Sequence, residues 1–253
     1  FIPFSVYIVY KEVLYMLFIL AFCLGACLGS FVPCLAHQLV FDHFDWRARS
    51  SCDYCHHPLS WNELIPLISQ ARLHSRCPHC HQVISSLYWQ SELAGGCLAS
   101  GFALMSSYQS WPLSQIFLYS ILLLLLALMA ACDLWAYWVP DNLQLACLPF
   151  SSFLAFYQTW DGWKLLAIIL ALSFLVLLQA FYPHWLGGAD IKLLGLLWLS
   201  LPLRTLAWLL GLAAGLGLLM VGSRPRCWRQ PIPFVPAIAL AYYLILALLP
   251  WLC

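Results

Sequence analysis

Two aspartates and four cysteines are the residues of this sequence whose types and spacing could do chemistry. Asp133 ends a long apolar run, 116–132. Asp190 stands in Gly187-Gly188-Ala189-Asp190-Ile191-Lys192, where a short apolar segment begins. Ionisable groups at membrane depth are costly and functional by default. Two carboxyl groups held close cannot both ionise, so one keeps its proton. The ionised partner can then deprotonate a water, while the protonated one polarises a carbonyl and later serves as acid. That is the chemistry of an aspartic-protease dyad. Gly187 and Gly188 would let backbone approach a substrate strand or adopt turns closed to other residues. Lys192 would tune the site or extend to the lipid headgroups. A purely structural reading makes both acids interfacial caps, which suits Asp190 at a helix start but not Asp133 at a helix C-terminal end.

Cys52-Asp53-Tyr54-Cys55 and Cys77-Pro78-His79-Cys80 are two C-x2-C pairs separated by 21 residues. Two residues between cysteines make a tight turn that aims both sulfurs at one point, and four thiolates so arranged close a tetrahedral zinc site. The segment has few apolar residues, so a metal would supply much of its folding energy. Two disulfides are the competing reading. A closed four-ligand site leaves no open position, so its expected role is structural. His56, His57, His74, His79 and His81 crowd the same segment and are read as solvated or supporting groups. The other eight cysteines lie in or beside apolar stretches and are read as small buried hydrophobes.

The elements that must position these groups follow from composition. Of 253 residues, 64% are hydrophobic and only 8% charged, against roughly 25% charged in soluble domains. So little charge cannot cover a water-soluble globule, and lipid must be the main solvent. A net charge of +1 provides no field to attract nucleic acid. Apolar runs at 13–36, 87–107, 114–138, 143–157, 164–182, 191–201, 203–222 and 234–251 predict an all-α polytopic membrane protein of about eight spans. The runs 143–157 and 191–201 are short. The first run is too long for the apolar region of a signal peptide and has no clear small-residue cleavage site, so it is expected to be a true span although the sequence starts at Phe1. Three regions are expected: a first transmembrane region, 1–39; a metal-binding loop, 40–86; and a helical bundle carrying both aspartates, 87–253.

Placing the 40–86 loop in the cytoplasm puts Arg47, Arg49, Arg72, Arg76, Lys192, Arg224, Arg226 and Arg229 inside, and only Lys11, Lys164 and Arg204 outside. That is a positive-inside bias. It sets both aspartates near the cytoplasmic boundary, where carboxyl groups on two helices could face each other across a bundle.

Two other classes compete with a protease. An ion- or proton-coupled transporter using the same acids should carry polar residues along one helix face. Yet 165–178 holds only Ser173, and 206–221 holds no polar side chain. A non-enzymatic scaffold with a zinc ribbon would tolerate asparagine at both Asp133 and Asp190.

The order of motifs resembles the prepilin peptidases, also called type IV leader peptidases. Gly29-Ser30-Phe31 looks like that family's opening GSF motif, and the two C-x2-C pairs match its zinc module. Trp61 to Pro66 matches its W-x-x-x-I-P segment, and Tyr88 with Glu92-Leu93 the start of its second span. Asp133 with Val139-Pro140-Asp141, and Gly187 to Lys192, look like the segments that carry its two catalytic aspartates. Gln230 to Pro236 resembles its late P-F-G-P segment. The sequence departs at Pro33, Gln38, Ala189 and Val235, where the family has Asn, Arg, Gly and Gly.

The resemblance implies a multi-pass protein of the bacterial inner membrane, with the zinc loop and active site facing the cytoplasm. Such an enzyme cleaves the basic leader from type IV pilin-like and pseudopilin precursors. It implies Asp133 and Asp190 as catalytic residues and Cys52, Cys55, Cys77 and Cys80 as ligands of structural Zn²⁺. Many family members also N-methylate the new N-terminus, which brings in S-adenosylmethionine as a cofactor. Asp42, Asp45, Asp53 and Glu63 could attract a basic leader or be solvated loop charges.

Overall fold

Each of the eight apolar runs forms a helix in the computed structural model, which describes residues 4–41, 50–52, 54–73, 75–158, 162–181, 187–222 and 233–252. The helices are α1 (Phe4–Phe41), α2 (Ile68–Leu73), α3 (Ser86–Tyr108), α4 (Leu113–Ala136), α5 (Asp141–Phe156), α6 (Gly162–Phe181), α7 (Gly188–Leu199), α8 (Leu206–Gly222) and α9 (Val235–Leu252). Asp42, Asp45, Asp53, His74, Cys227, Gln230, Cys253 and the arginines at 47, 49, 224, 226 and 229 lie outside the described residues.

Length and composition qualify four segments as membrane spans among the described residues: Lys11–Phe41, Leu113–Ala136, Trp163–Phe181 and Leu203–Gly222. The chain is thus helical with four qualifying spans, and the expected eight is not reached by this measure. The reason is local. α7 has 12 residues, against the ~20 needed to cross a bilayer. α5 has 16, and α3 carries Gln90, Ser91 and Glu92 in its first turns. Short helices are tolerated where protein surrounds them, and α7 buries Ile191, Leu193, Leu194, Leu197 and Trp198. α6 is the opposite case: Leu165, Leu166, Ile169, Leu170, Phe174 and Leu177 are exposed, as suits a helix with lipid on its outer face.

The described chain divides into two compact units, 1–110 and 111–253. In the first, α1 packs along α3 at backbone contact distance. A Cβ added at Gly29 would stand 2.2 Å from the Ser91 carbonyl oxygen, and one at Gly25 would stand 2.3 Å from that of Gly95. Small residues four apart are how apolar helices approach closely without a hydrophobic driving force. Gly29→Val is therefore expected to destabilise this unit at the upper end of the ~1–3 kcal/mol typical of overpacking, because the obstacle is backbone that cannot turn aside. Thermal melting in detergent checks it.

Glu92 joins three parts of the same unit. It is 3% exposed. Its Oε1 accepts from the Ser30 hydroxyl at 2.9 Å, and its Oε2 accepts from the Leu67 N–H at 2.7 Å. Leu67 has φ 61°, a left-handed conformation that costs a branched residue free energy, and Glu92 holds it there. Glu92→Ala leaves two half-buried donors unmatched, a loss of about 1–3 kcal/mol. Faster proteolytic cutting near Leu67 is the expected readout.

In the second unit α4 packs on α5 and α9, α5 on α7, and α8 on α9. α7 is fixed at its C-terminal end by side chains donating to its last carbonyls. Lys164 Nζ donates to Leu199 O at 3.1 Å, and Gln158 Nε2 donates to Ser200 O. The Ser200 and Tyr242 hydroxyls share a hydrogen bond of 2.7 Å. A cation is favoured at a helix C-terminus. Lys164, counted above among the outside charges, is 6% exposed and serves as this buried cap.

Candidate active site and metal centre

Asp133 sits in the last turn of α4, which closes at Tyr137 in a left-handed conformation (φ 53°). Trp138 and Val139 follow without regular structure, and Pro140, in an extended conformation, is the N-cap of α5. The Asp133 carboxylate is 8% exposed and turns away from its own helix end. Its Oδ2 accepts from the Val235 N–H at 3.0 Å, at the first residue of α9. The sequence places Asp133 at an unfavourable helix C-terminus. The fold places its side chain at a favourable N-terminus 102 residues away, where unpaired N–H groups and the helix dipole welcome negative charge.

Asp190 is the third residue of α7, and its Oδ2 accepts from the Gly187 N–H at 3.1 Å. Gly187 has φ −74°, and no described glycine has positive φ. The reading of Gly187 and Gly188 as turns closed to other residues is therefore not what the backbone uses. Close approach is what counts at Gly187, where a Cβ would stand 3.0 Å from Asp190 Oδ2 and crowd the carboxylate. At Gly188 a Cβ would meet Gln179 Nε2 at an ordinary 3.5 Å.

Two links tie the Asp190 turn to the first turn of α5. Gln144 of α5 donates from Nε2 to the Ala189 carbonyl at 3.1 Å. Lys192 of α7 pairs with Asp141 of α5 at 3.0 Å. Both partners of that pair are exposed, so it contributes little stability, ~0–1 kcal/mol, but it aligns the first turns of α5 and α7. α5 also packs against α4, the helix that carries Asp133. Two carboxyls from separate helices, each held by a backbone N–H at a helix start, have the ingredients for sharing one proton and activating a water between them.

The cysteine segment forms two near-identical turns in the first unit. Cys52 N–H bonds His57 O at 3.0 Å, and His56 N–H bonds Cys52 O at 2.9 Å. Cys77 N–H bonds Gln82 O at 2.9 Å, and His81 N–H bonds Cys77 O at 2.9 Å. His56 and His81 each take positive φ, 55° and 58°. The four sulfurs lie within 4.8 Å of one another, with Cys52–Cys80 at 3.8 Å and Cys55–Cys77 at 3.9 Å. Four sulfurs at ~2.3 Å from a central zinc stand ~3.8 Å apart in a tetrahedron, so the donor set fits the ion. All four stand as free thiols, at separations that favour a shared ion over two disulfides.

Backbone N–H groups of Cys80 and His79 lower the Cys77 thiol to about 7. At Cys80 the Gln82 backbone bond lowers the thiol, but burial and the neighbouring thiols outweigh it and push it up to about 12. A bound cation would offset the mutual repulsion of four thiolates placed this close. His57 and His79 stack at 4.3 Å between ring centroids, and His56, His57, His79 and His81 are all exposed. Glu63 bonds back to the Ser60 N–H at 2.8 Å.

Residues 23–106 match the family model described as the bacterial peptidase A24 N-terminal domain, and 120–223 match the type IV leader peptidase family. The chain is 30% identical over 228 residues to a prepilin leader peptidase/N-methyltransferase of Bacillus subtilis (strain 168), covering 86% of this chain and 89% of that relative. The chain belongs to the type IV leader peptidase family. Proteins of the same name from Aeromonas hydrophila and Myxococcus xanthus (strain DK1622) are 27% and 31% identical. They match over 92% and 81% of this chain and over 91% and 63% of their own lengths. No solved structure matches the chain. In this leader-peptidase chain the two family models part between α3 and α4, where the two compact units also divide. Gln144 gave no functional signal in the sequence beyond being a polar residue in an apolar run. Glu92 drew attention only through the family resemblance.

Proposed function

We propose that this chain is a membrane aspartic endopeptidase that removes the basic leader from type IV prepilin-like precursors, with Asp133 and Asp190 as its catalytic pair. What supports the reading is that carboxyls on α4 and α7 are each anchored by a backbone N–H at the start of a helix, while α5 packs on both of these helices. The ionised member of the pair takes a proton from water, and the resulting nucleophile attacks the scissile carbonyl. The protonated member holds the carbonyl oxygen by a hydrogen bond and then returns a proton to the leaving amine. Cys52, Cys55, Cys77 and Cys80 would hold zinc in a closed site that orders the 50–85 segment. We place that segment and the dyad on the cytoplasmic face of the bacterial inner membrane, following the positive-inside bias.

A second activity joins this one: methylation of the newly exposed α-amine from S-adenosylmethionine. It is favoured by the names of the relatives, which pair the peptidase with an N-methyltransferase. Co-expression with a pilin-like precursor tests both. The precursor should shorten by its leader in membranes holding this chain, and labelled S-adenosylmethionine should mark the cut product. An uncut precursor refutes the peptidase, and an unlabelled cut product refutes the methyltransferase.

A further inference from the structure

Gln144 is 3% exposed on the face of α5 that meets α7. Its Nε2 donates to the carbonyl of Ala189, the residue before Asp190. Only the amide nitrogen can face that carbonyl, so the orientation of the side chain is determined. The consequence is that Oε1 is buried with no donor. A buried acceptor without a partner costs free energy, whereas an apolar side chain of similar size would fill the space without that cost. Stability alone therefore gives a poor account of glutamine here. What the amide does that leucine cannot is tie the first turn of α7 to α5.

We propose that Gln144 is a positioning residue for peptide hydrolysis, setting through the Ala189 carbonyl where the Asp190 carboxyl stands relative to Asp133. This inference rests on the two-aspartate reading. Among the described residues, Asp141 of α5 and Lys192 of α7 pair with each other beside this turn, and in the two-aspartate reading Asp133 of α4 is the group that shares the proton of Asp190. α7 is held at its far end by Lys164 and Gln158, so losing the Gln144 bond frees mainly the end that carries Asp190.

The test uses the full chain in detergent with a prepilin precursor. Gln144→Leu should lower kcat roughly 10- to 100-fold, the scale of a misplacement near 1 Å, with KM within about twofold because no substrate contact is removed. The acid limb of the pH–rate profile should also move, since the spacing of two carboxyls sets how strongly each feels the other's charge. Ser151→Ala is the packing control. Ser151 lies two helical turns further along α5, and its buried Oγ also has no partner; its removal should leave kcat and the pH profile unchanged. If Gln144→Leu is not recovered from membranes, Gln144→Asn, too short to reach Ala189, is judged by the same two readouts. A normal kcat and pH profile overturns the role, as does a kcat loss that only tracks loss of folded protein with an unmoved pH limb. Asp190→Asn in the same assay separates the two claims. If it cleaves normally, the dyad reading fails; if it is inactive while Gln144→Leu is normal, only the positioning role fails.

Discussion

Asp133→Asn and Asp190→Asn are each expected to leave a co-expressed precursor uncut, with leader removal down by about 10²–10⁴-fold or more, the scale of a lost acid–base group. Asparagine is the informative substitution because it preserves the local bonds. Its side-chain oxygen can still accept from the Val235 N–H at position 133 and from the Gly187 N–H at position 190. Asparagine is also about as good a helix cap as aspartate. If these acids are only caps, both variants should keep the protein in the membrane, melt normally and retain whatever activity the chain has. If they share a proton, both should keep the fold and lose the chemistry, because an amide can neither take a proton from water nor lend one to a leaving amine. Measuring membrane level and melting alongside cleavage decides between these accounts. Normal cleavage by either variant removes the dyad and returns the two residues to structural roles.

Cys77→Ser is expected to strip the proposed metal, with zinc falling from about one ion per chain to near none. Hydroxyl is a far weaker zinc ligand than thiolate, and Cys77 is the thiol that the surrounding N–H groups hold readiest to ionise. The segment 50–85 has little else to keep it folded: its buried residues among those described are Cys52, Ser69 and Cys77. Structural zinc contributes ~10–16 kcal/mol to such modules at neutral pH, so metal loss should unfold the segment outright. Elemental analysis of the purified chain and limited proteolysis within 50–85 are the measurements. Helix content should scarcely change, because α1 and α3 meet through glycine backbone contacts that involve no metal. Full zinc content in the serine variant, or a metal-free wild-type chain, would rule out the four-thiolate site.

Features that depend on neighbours in sequence were legible before any coordinates. Hydrophobic runs long enough to shed water become helices wherever they fall, so all eight were found, although length alone could not say which of them cross a bilayer. Two cysteines flanking two residues aim at one point because the turn between them is local. Pairing the two turns followed from two C-x2-C motifs sharing one polar segment, and the sulfur separations of 3.8 and 3.9 Å are what a shared ion requires. The two aspartates stood out because carboxyls bordering apolar runs are rare and expensive.

What the sequence determined by itself is therefore a helical membrane chain with a four-thiol loop and two conspicuous acids. The tertiary structure alone decided who faces whom. Asp133 receives its hydrogen bond from the start of α9, Glu92 gathers Ser30 and Leu67, and Gln144 and Lys164 grip opposite ends of α7. None of these pairings leaves a periodic trace. A hydrogen bond between residues dozens of positions apart depends on helix packing, and many apolar sequences would pack without specifying that partner.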